Sequence, residues 1–206
     1  AEGKLFEISQ RNVKKDVTQI NPVIKDAMDL LQKAANQKEG LSGTRTGFDA
    51  LDKITSGWQN SDLIIIAARP AMGKTAFVLS MAKNMAVNHN VPVALFSLEM
   101  SNVQLVNRLI VNVCEIPGEK IKSGRLESYE WEQLDFKIKE LYDAPIYVDD
   151  TPSLSVFELR TKARRLVREH GVRCIIIDYL QLMNASGMSF GSREQEVSTI
   201  SRSLKG

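Results

Sequence analysis

One short segment of the chain carries residues suited to holding phosphate groups. The stretch AARPAMGKT, residues 67–75, follows an apolar run and precedes a helical pattern. In such a loop, backbone N–H groups and the positive end of the helix dipole attract phosphate oxygens. The Lys74 ammonium would reach the β- and γ-phosphates, and the Thr75 hydroxyl would ligate Mg²⁺. The predicted nucleotide-binding residues are Arg69, Pro70, Ala71, Met72, Gly73, Lys74, Thr75 and Ala76.

The loop departs at one position from the general pattern G-x-x-x-x-G-K-[ST], the Walker A motif. Ala68 stands where the first glycine is usual, which weakens the match. Gly73 is expected to be glycine because a Cβ atom there would crowd a bound phosphate. A chance Gly-Lys-Thr after a strand remains the alternative for this segment taken alone.

A second segment ends in a carboxylate suited to the same metal ion. Cys174-Ile175-Ile176-Ile177-Asp178 is an apolar strand that ends in aspartate, which is typical of a Walker B strand. Asp178 would then orient Mg²⁺ or its water ligands. An aspartate at a strand end is more often solvated or capping, but a phosphate loop on a neighbouring strand favours the metal role.

Glu99 is the candidate general base. It follows the predicted strand 91–98 and so leaves the sheet at its carboxyl edge, where ligands of open α/β sheets bind. From there its carboxylate could polarise the water that attacks a γ-phosphate. The alternative is a favourable charge near the start of the following helix. The predicted catalytic residues are Glu99, Lys74 and Asp178.

The elements that must position these residues alternate between short apolar strands and longer helical periods. This alternation is typical of an α/β fold with a parallel sheet and crossover helices. The predicted strands are residues 62–68, 91–98, 145–149 and 172–178. The predicted helices are residues 73–88, 101–114, 128–142, 155–170 and a last one from about Ser192 onward. Capping boxes, Ser101 with Gln104 and Ser155 with Glu158, open two of them, and Gly171 ends one.

The first forty residues differ from the rest and are predicted to form a linker, with the domain core spanning 41–206. Apolar residues at spacings of three and four predict one amphipathic helix over about 21–37, with Asn21 as N-cap, Pro22 at its first helical position and Gly40 as its stop. No second element in this stretch covers the apolar stripe. The helix therefore packs either on its own downstream domain or on a neighbouring subunit, and both interpretations stay open.

Composition excludes several classes of protein. The 27 basic and 25 acidic residues give a net charge of +2, so any nucleic-acid contact must be local. The longest apolar run, residues 63–68, is too short to span a membrane. The chain has only two histidines and two cysteines, and the cysteines form no Cys-x-x-Cys pattern, which argues against a structural zinc site. We expect both cysteines to be reduced thiols of a cytoplasmic protein.

Three segments together, AARPAMGKTAF, FSLEM and IIIDYLQLM, resemble the RecA-like ATPase domain of the bacterial replicative DNA helicases, the DnaB-type hexameric family. Residues 46–52, 56–58 and 193–205 match the family pattern in order and spacing, and residues 5–37 are similar to its helical linker. Ala68 is usual in this family. The resemblance covers nearly the whole chain and implies a RecA-like P-loop NTPase with helices on both faces of a mostly parallel sheet.

The resemblance also implies roles for individual residues, with ATP and Mg²⁺ as cofactors. Lys74 and Thr75 would contact phosphate and Mg²⁺, Glu99 would be the base, and Asp178 would hold Mg²⁺ through water. Gln181 would couple the nucleotide state to the glycine-rich loop 184–192, which is expected to be mobile and to face the channel of a ring. A polar residue at a strand end is the alternative for Gln181.

As a function, the resemblance implies a fragment of an ATP-dependent replicative helicase that translocates on single-stranded DNA and unwinds duplex as a homo-hexamer. The linker helix and the ATPase faces would build the hexamer, and primase and a helicase loader would be partners in a primosome, with no membrane involved. The family continues beyond the last helix into a further strand, DNA loops and an arginine finger, so the fragment is expected to be C-terminally incomplete, to bind Mg·ATP weakly at best and to be inactive in unwinding. A recombination, repair or regulatory ATPase and a pure oligomerisation piece are the alternatives.

Several features favour structural interpretations. One predicted helix carries a cluster of basic residues. We interpret this cluster as a solvated or subunit-interface face, with a phosphate contact as the alternative; its members are Arg160, Lys162, Arg164, Arg165 and Arg168. Phe48 and Trp58 are expected to pack beside the first strand, and residues 77, 79 and 81 to be core.

Overall fold

The computed structural model describes residues 17–36, 41–183 and 192–205. The chain divides into two units, Ala1–Ser42 and Gly43–Gly206. Among the described residues, no helix is both long and apolar enough to cross a lipid bilayer.

The first unit contains one described helix, α1, over Ile20–Ala35. Gln19 occupies the N-cap position and makes no side-chain cap, so the prediction of Asn21 as N-cap is wrong. Pro22 is the third helical residue, and not the first as predicted, but it still lies in the first turn, where its missing N–H needs no helical partner. The expected stop at Gly40 lies outside the described residues. None of the residues of α1 is buried.

The second unit is built on a parallel sheet of three strands, β1 (Val93–Ser97), β2 (Ile146–Asp149) and β3 (Cys174–Asp178). Their order in the sheet is β2-β1-β3, so β1 is central. All five residues of β1 are buried, which explains its unbroken apolar run. Ser97 lies opposite Asp178, so the two strands end at the same edge.

Eight described helices accompany the sheet in this unit, with a π-helical and a 3₁₀ segment. They are α2 (Asp49–Thr55), α3 (Lys74–Lys83), which continues as the π-helix Asn84–Asn88, α4 (Asn102–Cys114), α5 (Gly118–Ser123), α6 (Ser128–Lys137), α7 (Lys139–Tyr142), α8 (Val156–His170), the 3₁₀ turn Leu180–Leu182, and α9 (Arg193–Lys205). Helices α2 and α5 were not predicted. The predicted helix 128–142 is divided at Ile138 into α6 and α7.

Both predicted capping boxes are confirmed. The Ser101 hydroxyl accepts a hydrogen bond from the Gln104 N–H at 3.3 Å, and the Ser155 hydroxyl accepts one from the Glu158 N–H at 3.1 Å. Gly171 ends α8 with φ +64°, a left-handed conformation that glycine adopts at little cost. Helices α4 and α8 therefore begin where local sequence dictates.

The core lies on both sides of β1. Val93 and Leu95 face a cluster that includes Leu79 of α3 and Leu109 of α4. The alternate residues Ala94 and Phe96 face a second cluster that contains Leu159 of α8 and Ile200 of α9. Because successive side chains of a strand point to opposite faces, this division places helices on both sides of the sheet. The predicted fold class is confirmed.

The predicted buried strand 62–68 is wrong. No residue of this segment is in a strand, and the side chain of Ile65 is 68% exposed. A strand requires a neighbour that pairs with its backbone N–H and C=O groups. Here a groove of about 390 Å³, lined by Leu63–Ala68 on one side and β3 on the other, separates the segment from the sheet. The phosphate loop and Asp178 therefore do not follow hydrogen-bonded neighbouring strands.

Candidate nucleotide-binding site

The candidate phosphate loop leads directly into the N-terminus of α3. Gly73 is the N-cap residue, with φ +86°, and it provides no side chain to cap the helix. The N–H groups of the first helical turn have no partner within an α-helix, so they are available to an anion. A Cβ atom at Gly73 would meet no protein atom within 4 Å, and the positive φ is the reason for glycine that the structure itself shows. The predicted crowding of a bound phosphate stays a prediction.

A tight turn shapes the loop before Gly73. The N–H of Met72 donates a hydrogen bond to the carbonyl of Arg69 at 3.3 Å. Ala71 has φ +61°. This left-handed conformation is unfavourable for a residue that has a Cβ atom. Met72 is 70% exposed, and the cavity described next is lined by the predicted loop residues other than Met72.

The loop faces a cavity of about 1090 Å³. Two other predicted residues, Glu99 and Gln181, line the same cavity. Glu99 lies within the turn after β1, in which the N–H of Met100 donates to the Ser97 hydroxyl at 3.0 Å. The structure thus brings the candidate base, the candidate sensor and the phosphate loop to one space.

Thr75 and Asp178 connect α3 to the end of β3. The Thr75 hydroxyl donates a hydrogen bond to Oδ2 of Asp178 at 2.8 Å. Asp178 is 6% exposed, and its carbonyl accepts the N–H of Leu98, which ties β3 to the end of β1. The two side chains meet even though strand 62–68 is absent, because α3 itself carries Thr75 to the sheet edge.

This pair fits a magnesium ion. Mg²⁺ prefers oxygen ligands and usually binds through one or two protein groups together with phosphates and water. A hydroxyl and a carboxylate 2.8 Å apart supply such oxygens beside the loop. The described residues contain no cluster of three or more His, Cys, Asp or Glu side chains that could hold a metal by themselves. The donor set therefore suits an ion that arrives with a nucleotide.

Lys74 contacts an aromatic residue that the sequence analysis did not select. Its ammonium lies 4.3 Å from the centre of the Tyr179 ring, which is a cation–π geometry. Tyr179 follows Asp178 through a cis peptide bond and lines the cavity. The signal in the sequence was an aromatic residue directly after the strand-end carboxylate.

Charge around the cavity favours a polyanion. Arg69, Lys74, Arg108 of α4 and Lys122 of α5 line it, and Glu99 is its only carboxylate among the described lining residues. Such an excess of positive charge in a concave site attracts phosphates. Arg108 and Lys122 were missed because their elements reach the cavity only through the tertiary fold.

Phe48 and Trp58 pack on residues of α3, and not beside the predicted strand 62–68, which does not form. The Trp58 indole N–H donates to Met81 Sδ at 3.2 Å, and the rings of Phe48 and Phe77 stack 4.9 Å apart. In the basic cluster, Lys162 donates to Asp149 at 2.6 Å. Burial opposes ionisation of Asp149, but hydrogen bonds from Lys162 and Thr151 outweigh it and hold the pKa of this carboxyl below its usual value.

Both cysteines are free thiols. Burial raises the pKa of Cys174 to about 11, and burial also raises the pKa of Cys114. The predicted channel-facing loop lies outside the described residues over 184–191.

Comparison with known proteins gives one consistent result. The sequence profile described as "DnaB-like helicase C terminal domain" matches residues 43–206. The chain is 45% identical over 205 residues to the "Replicative DNA helicase DnaB" of Geobacillus stearothermophilus and 43% identical to the "Replicative DNA helicase DnaC" of Bacillus subtilis (strain 168). Each match covers 100% of this chain and 45% of the relative, so the chain spans less than half the length of these proteins.

Solved structures agree with the sequence comparison. The structure described as "ATPase Domain of G40P" superposes with a TM-score of 0.83 at 36% identity, over 92% of this chain and 66% of that one. A second structure, described as a DnaB-like replicative helicase and its interactions with primase, gives a TM-score of 0.80 at 35% identity, over 100% of this chain and 49% of that one.

Proposed function

The chain belongs to the DnaB-like helicase C-terminal domain family, and from that premise we propose that it is the ATP-hydrolysing segment of a replicative DNA helicase. The observation that carries the proposal is the hydrogen bond between Thr75 and Asp178. It lies beside a cavity lined by Lys74 and Glu99. In this proposal ATP is the substrate and Mg²⁺ its companion ion.

Each residue of the site has a distinct task in this proposal. The N–H groups at the start of α3 and the Lys74 ammonium hold the phosphates. Thr75 and Asp178 provide the oxygens for Mg²⁺, which when bound neutralises charge on the β- and γ-phosphates. Glu99 orients a water molecule on the open side of the cavity and accepts its proton. Gln181 senses which nucleotide is bound and passes that state to the segment after it.

We extend the proposal to the whole protein. Residues 1–40 act as a linker and residues 41–206 as the ATPase core, and α1 with the faces of the core assembles a homo-hexamer. The ring moves along single-stranded DNA and separates duplex in the cytoplasm, with primase and a helicase loader as partners. One relative of known structure is described in terms of its interactions with primase, which supports that partner.

The test uses the chain extended to the length of its relatives and measures ATP hydrolysis with and without single-stranded DNA. Lys74→Ala should weaken nucleotide binding and abolish hydrolysis, whereas Glu99→Gln should bind nucleotide but lose hydrolysis by roughly 100- to 10,000-fold. Lys53→Ala and Glu132→Gln, exposed residues outside the cavity, are the matched controls and should remain active.

A fully active Glu99→Gln variant would refute the assignment of the base. A strand-displacement assay on the same protein separates the helicase from the recombination or regulatory ATPase. DNA-stimulated hydrolysis without displacement would contradict the helicase proposal and leave the ATPase proposal intact.

A further inference from the structure

The first two residues of α3 contact the last residue of β3 and the residue that follows it. Thr75 donates a hydrogen bond to Asp178, and Lys74 places its ammonium over the ring of Tyr179. The first contact belongs to the proposed magnesium site. The second contact has no role in the function proposed above.

We propose that Tyr179 is a positioning residue that holds the Lys74 ammonium ready for the phosphates of the nucleotide. The inference rests on the proposed function, because Lys74 must be the phosphate-binding lysine. Tyr179 does not touch the nucleotide in this proposal, since it acts on Lys74 alone.

The surroundings of Lys74 explain why it needs such support. A lysine side chain has high rotamer entropy, and fixing it on a ligand lowers the affinity that its charge provides. Among the ion pairs of the described residues, none includes Lys74. An aromatic face attracts the ammonium without neutralising it, so the full charge stays available to phosphate.

The position of Tyr179 is fixed by the sheet. It follows Asp178, which is the last residue of β3 and is anchored to β1 and to Thr75. The ring is half-buried and lines both the nucleotide cavity and the groove beside β3. The ring covers one side of the ammonium, and Lys74 also lines the cavity in which phosphate would bind. We therefore expect the contact to persist when the nucleotide binds.

The first experiment detects the contact directly. Reductive ¹³C-methylation of the 206-residue chain gives one NMR signal for each lysine, and Lys74→Arg identifies that of Lys74. Ring current should shift the Lys74 signal upfield in the natural chain and in Tyr179→Phe. In Tyr179→Leu the signal should move to the position of an ordinary exposed lysine. An unshifted Lys74 signal in the natural chain would overturn the proposal.

The second experiment measures the dissociation constant of Mg·ADP by calorimetry on the same proteins. Tyr179→Leu should weaken binding by about twofold to fivefold, which corresponds to the energy of one cation–π contact. Tyr179→Phe should restore the natural affinity because the ring is retained. Tyr142→Leu, which changes a tyrosine that is 79% exposed, is the matched control and should bind normally.

A double-mutant cycle shows whether Tyr179 acts through Lys74. Tyr179→Leu should weaken Mg·ADP binding in the natural chain and have no further effect in a Lys74→Met background. An equal loss in both backgrounds, or unchanged binding in the natural background, would overturn the positioning role. If the chain extended to the length of its relatives binds no Mg·ADP while Lys74 of the 206-residue chain still shows the ring-current shift, the proposed function fails and the contact stands.

Discussion

At the scale of single residues, the hydroxyl of Thr75 has one proton, and the Asp178 carboxylate accepts it in a hydrogen bond. Because the hydroxyl donates this bond, its oxygen keeps its lone pairs for a cation. Thr75→Ser should preserve the Mg²⁺ requirement for nucleotide binding because it keeps the hydroxyl. Thr75→Val, which has nearly the same shape, should lower Mg·ADP affinity by about tenfold or more, since a metal ligand and a hydrogen bond are lost.

The measurement is calorimetric titration with ADP at several Mg²⁺ concentrations. Thr55→Val on α2, where the threonine hydroxyl donates to the carbonyl of Leu51, is the matched control and should leave the affinity unchanged. Equal Mg²⁺ dependence in Thr75→Val and the natural chain would contradict the role of Thr75.

Cys174 gives a prediction about pH. Burial raises the pKa of its thiol to about 11, so at pH 8 only about a thousandth of it is thiolate, whereas an unperturbed cysteine is about one quarter thiolate. Alkylation of Cys174 by iodoacetamide should therefore be roughly 250-fold slower in the folded chain than in urea. Its rate should keep rising up to about pH 11. Peptide-resolved mass spectrometry measures both, and a plateau near pH 8.5 would contradict the raised pKa.

At the scale of elements, residues 62–68 have strand composition without a strand partner. Their backbone N–H groups are not bonded to β3, which lies across the groove, so they should exchange with deuterium much faster than those of β1. Hydrogen-exchange mass spectrometry at neutral pH should show full exchange of residues 63–68 while Val93–Ser97 stays protected. Protection of both segments to the same degree would mean that residues 62–68 are paired in solution.

The elements also show what a sequence can and cannot predict. The starts of α4 and α8 were predictable because a capping box is complete within four residues. The absence of a strand over residues 62–68 was not predictable, because a strand forms only beside a pairing partner, and that partner is remote in sequence. The candidate site divides in the same way. Lys74, Thr75 and Asp178 belong to local motifs, but Arg108 and Lys122 reach the cavity through tertiary packing that no local pattern encodes.

At the scale of the whole molecule, positive charge and exposed apolar surface are concentrated in different parts of the chain. The net charge is only +2, but the described residues that line the nucleotide cavity include four cationic side chains and one carboxylate. The concentration of positive charge at one site, and not the overall balance, therefore determines which ligands are attracted.

Apolar surface is concentrated on α1, where Val23, Ile24, Met28 and Leu31 are each 50% exposed or more. These residues lie at helical spacings of three and four on one stripe, and exposed apolar stripes of this kind favour association. If α1 mediates assembly, the 206-residue chain should show concentration-dependent association in sedimentation velocity. Val23→Asp combined with Leu31→Asp should shift it toward monomer because charges would have to be buried in the contact.

Gln32→Asp, which adds a charge to α1 outside that stripe, is the matched control and should associate like the natural chain. Residues 41–206, which lack α1, should sediment like the double variant. If all four proteins are equally monomeric over the same concentrations, α1 does not drive assembly, and the faces of the ATPase core must supply the contacts of the proposed ring. If all four associate equally, those faces already suffice and the stripe on α1 serves another contact.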